Sequence, residues 1–144
     1  MKNRILFFAG ILLSTQVFAM GNPAAVFCED VARGEYVIHS DAKGNQSGVC
    51  VIGEAVVSGW TLFSASRLDK EGNPKTEKAK INLAMKALIQ QKTCVQAKGR
   101  VQKLVGDNNQ VLLMCNFSDN SSISVDTLKL DKGNQSRNEV LGLL

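Results

Sequence analysis

Four cysteines, Cys28, Cys50, Cys94 and Cys115, constrain this chain more than any other residues. All four follow an N-terminal stretch that reads as a secretory signal, and an even cysteine count in an exported chain implies disulfides. Three pairings are open. The spacings of 22 and 21 residues favour Cys28–Cys50 and Cys94–Cys115, each joining a helical region to the hairpin that follows it. Each bond would close a loop of about twenty residues, worth about 3 kcal/mol in the chain-entropy model.

The signal reading rests on residues 1–19. Lys2 and Arg4 give a positive start, Ile5 to Leu13 a short apolar core, and Val17-Phe18-Ala19 a cleavage site before Met20. No cysteine stands near the cut, so a lipid anchor there is not expected. The remaining chain of about 125 residues suffices for one compact domain or two small ones sharing a core. It is expected to be exported, periplasmic or secreted, with no transmembrane segment in the mature chain. Its most apolar stretch, Val49 to Phe63, is broken by Glu54, Ser58 and glycines.

Two halves suggest one plan: residues 20–67, and residues 68–144 with a polar C-terminal tail. Gly-Asn-Pro occurs at Gly21-Asn22-Pro23 and again at Gly72-Asn73-Pro74. Asparagine is a good N-cap and proline a good first helical residue, so both copies read as helix starts. The first helix ends before Gly34. In the second, Ile81, Ala84, Met85 and Leu88 fall on one face at i, i+3, i+4 and i+7. Each helix is followed by three strand candidates. In the first half these are Tyr36-Val37-Ile38, Gly48 to Ile52, and Val56 to Phe63, with Trp60 and Leu62 on one face and Trp60 read as core. In the second they are Cys94 to Val105, Val111 to Phe117, and Ile123 to Leu130. The expected fold is α+β: two similar helix-plus-three-strand halves with antiparallel sheet, stapled by disulfides.

Three pieces of the first half, Asn22-Pro23-Ala24-Ala25-Val26-Phe27-Cys28, Gly48-Val49-Cys50 and Gly59-Trp60-Thr61-Leu62-Phe63, together resemble a small bacterial domain family of unknown function whose members carry the label hemolysin. The resemblance covers residues 21–63. The family's usual Pro-Asp-Gly turn is replaced here by Ile52-Gly53-Glu54-Ala55, and Gly59 stands where an acidic residue often precedes the tryptophan. Many relatives are lipoproteins, whereas this chain lacks the lipidation cysteine. The family implies no settled activity. Pore formation would need long alternating strands or a strongly amphipathic interfacial helix, and neither can be read here.

Catalytic chemistry finds little support. His39 is the one histidine, with only Ser40 and Asp41 beside it, and disulfide formation would leave no thiolate to act as nucleophile. Metal-ligand spacings and phosphate-binding glycine loops are absent. No catalytic residue, metal site or cofactor is expected, and the protein is read as not an enzyme.

Charge is distributed unevenly. From Lys70 to Lys103 the chain carries eight lysines and one arginine against Glu71 and Glu77, a net of +7. Lys75, Lys78 and Lys86 on the second helix, with Lys98, Arg100 and Lys103 beyond it, make a candidate site for an anionic envelope glycan or lipid. Aromatic residues are not interleaved among these charges, so nucleic acid is not an expected partner. The leading expectation is a non-enzymatic binding module that contacts an envelope or secreted protein, inhibition being one mode. Its contact surface would be the first hairpin: Lys43, Gly44, Asn45 and Gln46 with neighbouring Tyr36 and His39.

Overall fold

A computed structural model describes residues 21–77 and 80–144. The signal reading of residues 1–19 and the assignment of Lys78 lie outside the described residues.

Asn22 opens the first helix as expected, its side chain accepting the amide of Ala24 at 3.0 Å, with Pro23 in the first helical position. Helix α1 (Pro23–Val26) widens into a π turn (Phe27–Val31) and ends before Gly34. Then come β1 (Glu35–Ser40), β2 (Gln46–Ile52), β3 (Ala55–Ser58) and α2 (Gly59–Ala65). Next are α3 (Leu83–Ile89), β4 (Arg100–Val105), β5 (Val111–Asn116), β6 (Ser122–Ser124), α4 (Val125–Leu128) and α5 (Gln135–Gly142). The fold is α+β with antiparallel strands, and both disulfides form as Cys28–Cys50 and Cys94–Cys115.

The six strands close into a barrel of order β1-β2-β3-β6-β5-β4. Two antiparallel meanders meet at two seams, Ser40 paired with Val105 and Val57 with Ile123. Strand alternation divides the apolar residues into two sets. Val49, Leu104 and Met114, with Val37, Val51, Val56 and Leu112 around them, form one cluster that fills the barrel. Cys50, Ile52, Ala55, Val57, Cys115 and Ile123 point the other way and join Phe27, Leu62, Met85, Leu88 and Val140 beneath the helices.

Three sequence expectations are corrected. Gly72-Asn73-Pro74 does not start a helix; it closes a turn in which Asp69 accepts the amides of Glu71 and Asn73 at 3.0 and 2.8 Å. Asp41 does the same for Lys43 and Asn45 at 2.8 and 2.9 Å. The recurring unit is therefore Asp-x-x-Gly-Asn, whose aspartate captures the amides ahead of it and whose glycine takes a positive φ, 82° at Gly44 and 83° at Gly72. The strand expected from Cys94 begins only at Arg100, because residues 94–98 are a turn with Lys98 at φ 60°. The third strands stop early: the chain turns into α2 at Gly59 and into α4 at Val125.

Helix α3 starts instead at the cap Asn82, whose side chain accepts the amide of Met85 at 3.1 Å. Its first two amides reach across to the segment before β6, Leu83 to Asp119 at 2.8 Å and Ala84 to the Ser121 hydroxyl at 3.0 Å. Burial works to raise the pKa of Asp119, but the hydrogen bonds from Ser121 and Leu83 outweigh it and hold the carboxyl below its ordinary 3.8. A depressed carboxylate stabilises the fold above its unfolded value, and that contribution is lost as the pH falls through the lower folded value. Asp119→Asn is expected to cost about 0.5–1 kcal/mol at neutral pH, the low end for a helix cap because the side chain is largely solvated. Urea titrations at neutral pH and below pH 4 check this: the gap between the two proteins should close in acid.

The C-terminal residues dock. Val140 is buried, and Arg137, 4% exposed, donates to the Leu88 carbonyl at the end of α3 at 2.9 Å. That cation sits at the negative end of the helix dipole. Among the described residues, no helix is long and apolar enough to cross a membrane.

Candidate functional site

Trp60 is 53% exposed, which overturns its reading as core. On a strand, residues 60 and 62 would share a face; on α2 the buried side chains beyond Gly59 are Thr61, Leu62 and Ala65, and Trp60 falls opposite them beside Phe63. The indole stands edge-on to the Phe63 ring at 5.9 Å, and Phe63 in turn meets Phe27 at 5.7 Å. The exposed aromatic is thus braced from behind by the core.

Tyr36 supplies the neighbouring wall. Its ring lies across two glycines: a Cβ at Gly48 would stand 1.8 Å from the Tyr36 hydroxyl, and one at Gly59 2.5 Å from its Cε2. The hydroxyl accepts the Asn22 side-chain amide at 3.0 Å. Trp60, Tyr36, Ile38, Gln46 and Asn22 line a cleft of about 320 Å³. Ile38 is exposed on the outer side of β1, so the cleft joins two aromatic, one aliphatic and two amide side chains on one surface.

The proposed hairpin residues divide. Tyr36 and Gln46 line this cleft, while Lys43, Gly44 and Asn45 form the exposed tip of the adjoining turn. Asn45 donates to Asp41 from both its backbone and its side chain at 2.9 Å, so the tip is fixed. Those bonds also lower the Asp41 pKa, the Asn45 side chain contributing most. His39 does not belong to the surface. It alternates to the other side of β1, is 7% exposed, and packs over Gly106, with its Nδ1 buried and without a hydrogen-bond partner among the described residues.

The described basic candidates stand in different settings. Lys75 is engaged: its ammonium donates to the Phe63 carbonyl and lies 4.4 Å from the centroid of that ring. Burial lowers its pKa, with Asp69 opposing. Lys86 and Lys98 do come together, lining a shallow cleft of about 170 Å³ with Lys92, which the sequence reading had not singled out. Arg100 and Lys103 fall on opposite sides of β4, three residues apart in a strand of period two. Ion pairs among the described residues are Lys70–Glu71 and Lys129–Asp126, so none involves the three cleft lysines.

Residues 19–66 match the family model of a domain of unknown function, DUF333. That segment is a third of the 144-residue chain and holds the Asn22 cap, the first disulfide and all of α2. Its description carries neither an activity nor the hemolysin label. The searches of curated proteins and of solved structures found no match.

Two features of the site escaped the sequence reading although signals existed. Ser58-Gly59 ahead of Thr61, Leu62 and Ala65 is a helix start with its buried stripe at i, i+1 and i+4, which would have turned Trp60 outward. Lys92 follows Lys86 by six residues, a spacing that brings the two together only because the chain reverses after Ile89.

Proposed function

We propose that the protein is an exported, non-enzymatic module that binds an envelope or secreted protein through the Trp60 cleft. The exposed, braced indole carries this reading. A large aromatic held beside a tyrosine and an aliphatic side chain supplies most of what a central interface residue supplies. Cys28–Cys50 ties the segment after α1 to β2, and a preorganised surface loses little entropy on binding. Biotinylated protein incubated with envelope extract should capture a partner that Trp60→Ser loses by at least about 30-fold, the equivalent of about 2 kcal/mol. The variant itself should lose no more than about 1 kcal/mol of stability, since one face of the ring already meets water. Capture that survives Trp60→Ser would remove the cleft from the interface.

A second reading keeps the anionic partner but moves it to Lys86, Lys92 and Lys98. Three lysines without carboxylate neighbours among the described residues favour an envelope glycan or lipid. The reversals Lys86→Glu, Lys92→Glu and Lys98→Glu, and a rise in salt, would each weaken that binding while leaving Trp60-dependent capture intact.

The proposal includes two halves of one plan, residues 20–67 and 68–144, behind a signal of residues 1–19. Parallels between the disulfides support it. Gly34 donates its amide to the Cys28 carbonyl at 2.8 Å, and Gly99 donates to Cys94 at 2.8 Å. Each glycine immediately precedes the first strand of its meander, and two residues later that strand pairs with the second cysteine, Tyr36 with Cys50 and Val101 with Cys115.

A further inference from the structure

One mouth of the barrel is a cleft of about 280 Å³ whose rim is entirely uncharged: Ser47, Ser58, Gln102, Asn116, Asn120 and Ser122. Val49, Leu104 and Met114, the cluster that fills the barrel, form its floor. The rim is wired in one direction. Asp41, an acceptor when ionised, receives the Gln102 side-chain N–H at 3.4 Å. Gln102 Oε1 receives the Asn116 side-chain N–H at 2.6 Å, and Asn116 Oδ1 receives the Ser122 hydroxyl at 2.6 Å. Each amide oxygen thereby has one of its two acceptor sites filled from within the rim. Gln102 and Asn116 each keep one free N–H, and Ser122 keeps lone pairs.

This pattern selects a ligand. An anion would find no cation in the lining, and a cation no carboxylate, so a charged group would lose its hydration without a partner. Two neighbouring N–H donors ask for a carbonyl oxygen, the aliphatic floor for a small apolar group, and the serines for hydroxyls that both give and accept. A carbonyl, a methyl and hydroxyls occur together on an acetamido sugar. We infer that the Gln102–Asn116–Ser122 mouth of the barrel binds a neutral N-acetylated saccharide, with the acetamido oxygen on the amide donors and its methyl toward Leu104 and Met114.

The test is a ¹H–¹⁵N NMR titration of the disulfide-bonded protein with N-acetylglucosamine, with glucose as control. Saturable shifts of the Gln102 and Asn116 side-chain amides are expected, with glucose at least about tenfold weaker, the equivalent of about 1.4 kcal/mol. Gln102→Met keeps the length of the side chain and removes the donor. It should abolish the response while the rest of the spectrum stays native, and Ser122→Ala should weaken it severalfold should Gln102→Met perturb the fold. Absent or non-saturating shifts, or glucose binding as well as the acetamido sugar, would overturn the inference. So would undiminished binding by a natively folded Gln102→Met or Ser122→Ala protein.

Discussion

Replacing Cys94 and Cys115 together with alanine is expected to cost about 3 kcal/mol of stability, and removing both disulfides at once to leave the chain largely unfolded. Each bond closes a loop of 21 or 22 residues, and the chain-entropy model assigns such a loop about 3 kcal/mol. Two such losses, about 6 kcal/mol, are comparable to the roughly 5–15 kcal/mol that a domain possesses. The local setting adds to the cost. All four cysteines are buried in the cluster beneath the helices, so truncation also opens space there. The turn at 94–98 is otherwise held by reciprocal bonds between Thr93 and Gln96 at 3.0 and 3.3 Å and by the amides of Ala97 on Thr93, Lys98 on Val95 and Gly99 on Cys94. Urea unfolding followed by circular dichroism measures the effect. A loss under about 1 kcal/mol for either pair would show that the bond decorates a fold already complete without it.

Gly99→Ala should be nearly as damaging as a core defect, although the residue lies just before a strand and its change is one methyl group. The added Cβ would stand 2.2 Å from the Cys115 sulfur and 2.9 Å from that of Cys94. A disulfide cannot swing aside as a flexible side chain could, so the backbone or the cross-link must move. Overpacking of this kind costs about 1–3 kcal/mol. The cause can be isolated by a double-mutant cycle: in a Cys94→Ala, Cys115→Ala background the sulfurs are gone and the alanine penalty should shrink by more than half. A penalty that persists there would place the strain elsewhere, with the Phe117 ring at 3.1 Å the next neighbour.

The residues show where the sequence was readable. Disulfide partners, the capped first helix and the hairpin turns follow from local chemistry: an Asn-Pro start, an aspartate that captures amides ahead of it, a glycine at positive φ. Barrel closure is not local. It depends on single pairings between residues far apart in sequence, Ser40 with Val105 and Val57 with Ile123, and strand alternation alone does not specify them. The switch from strand to helix at Ser58 was hidden because Trp60 and Leu62 also fit period two; burial of Thr61 and Leu62 together decides for the helix. The repeated Gly-Asn-Pro misled for a related reason. At Asn22 the asparagine caps a helix, whereas at Asn73 it closes the turn begun by Asp69. As for the site, Tyr36 and Gln46 were named, but His39, named with them, faces away from the cleft and is buried, and Lys75 proved to be fastened to Phe63.

Trp60 is the sole tryptophan, so its fluorescence reports the proposed interface without a label. Collisional quenching by acrylamide, measured on the free protein and on the protein bound to its captured partner, tests the central claim most directly. The free protein should show efficient quenching and the red-shifted emission of a solvated indole. Binding should blue-shift the emission and cut the quenching constant severalfold, and the Glu variants of Lys86, Lys92 and Lys98 should behave identically. Quenching and emission unchanged in the complex would contradict the account, because a partner seated on the cleft cannot leave its central indole in water.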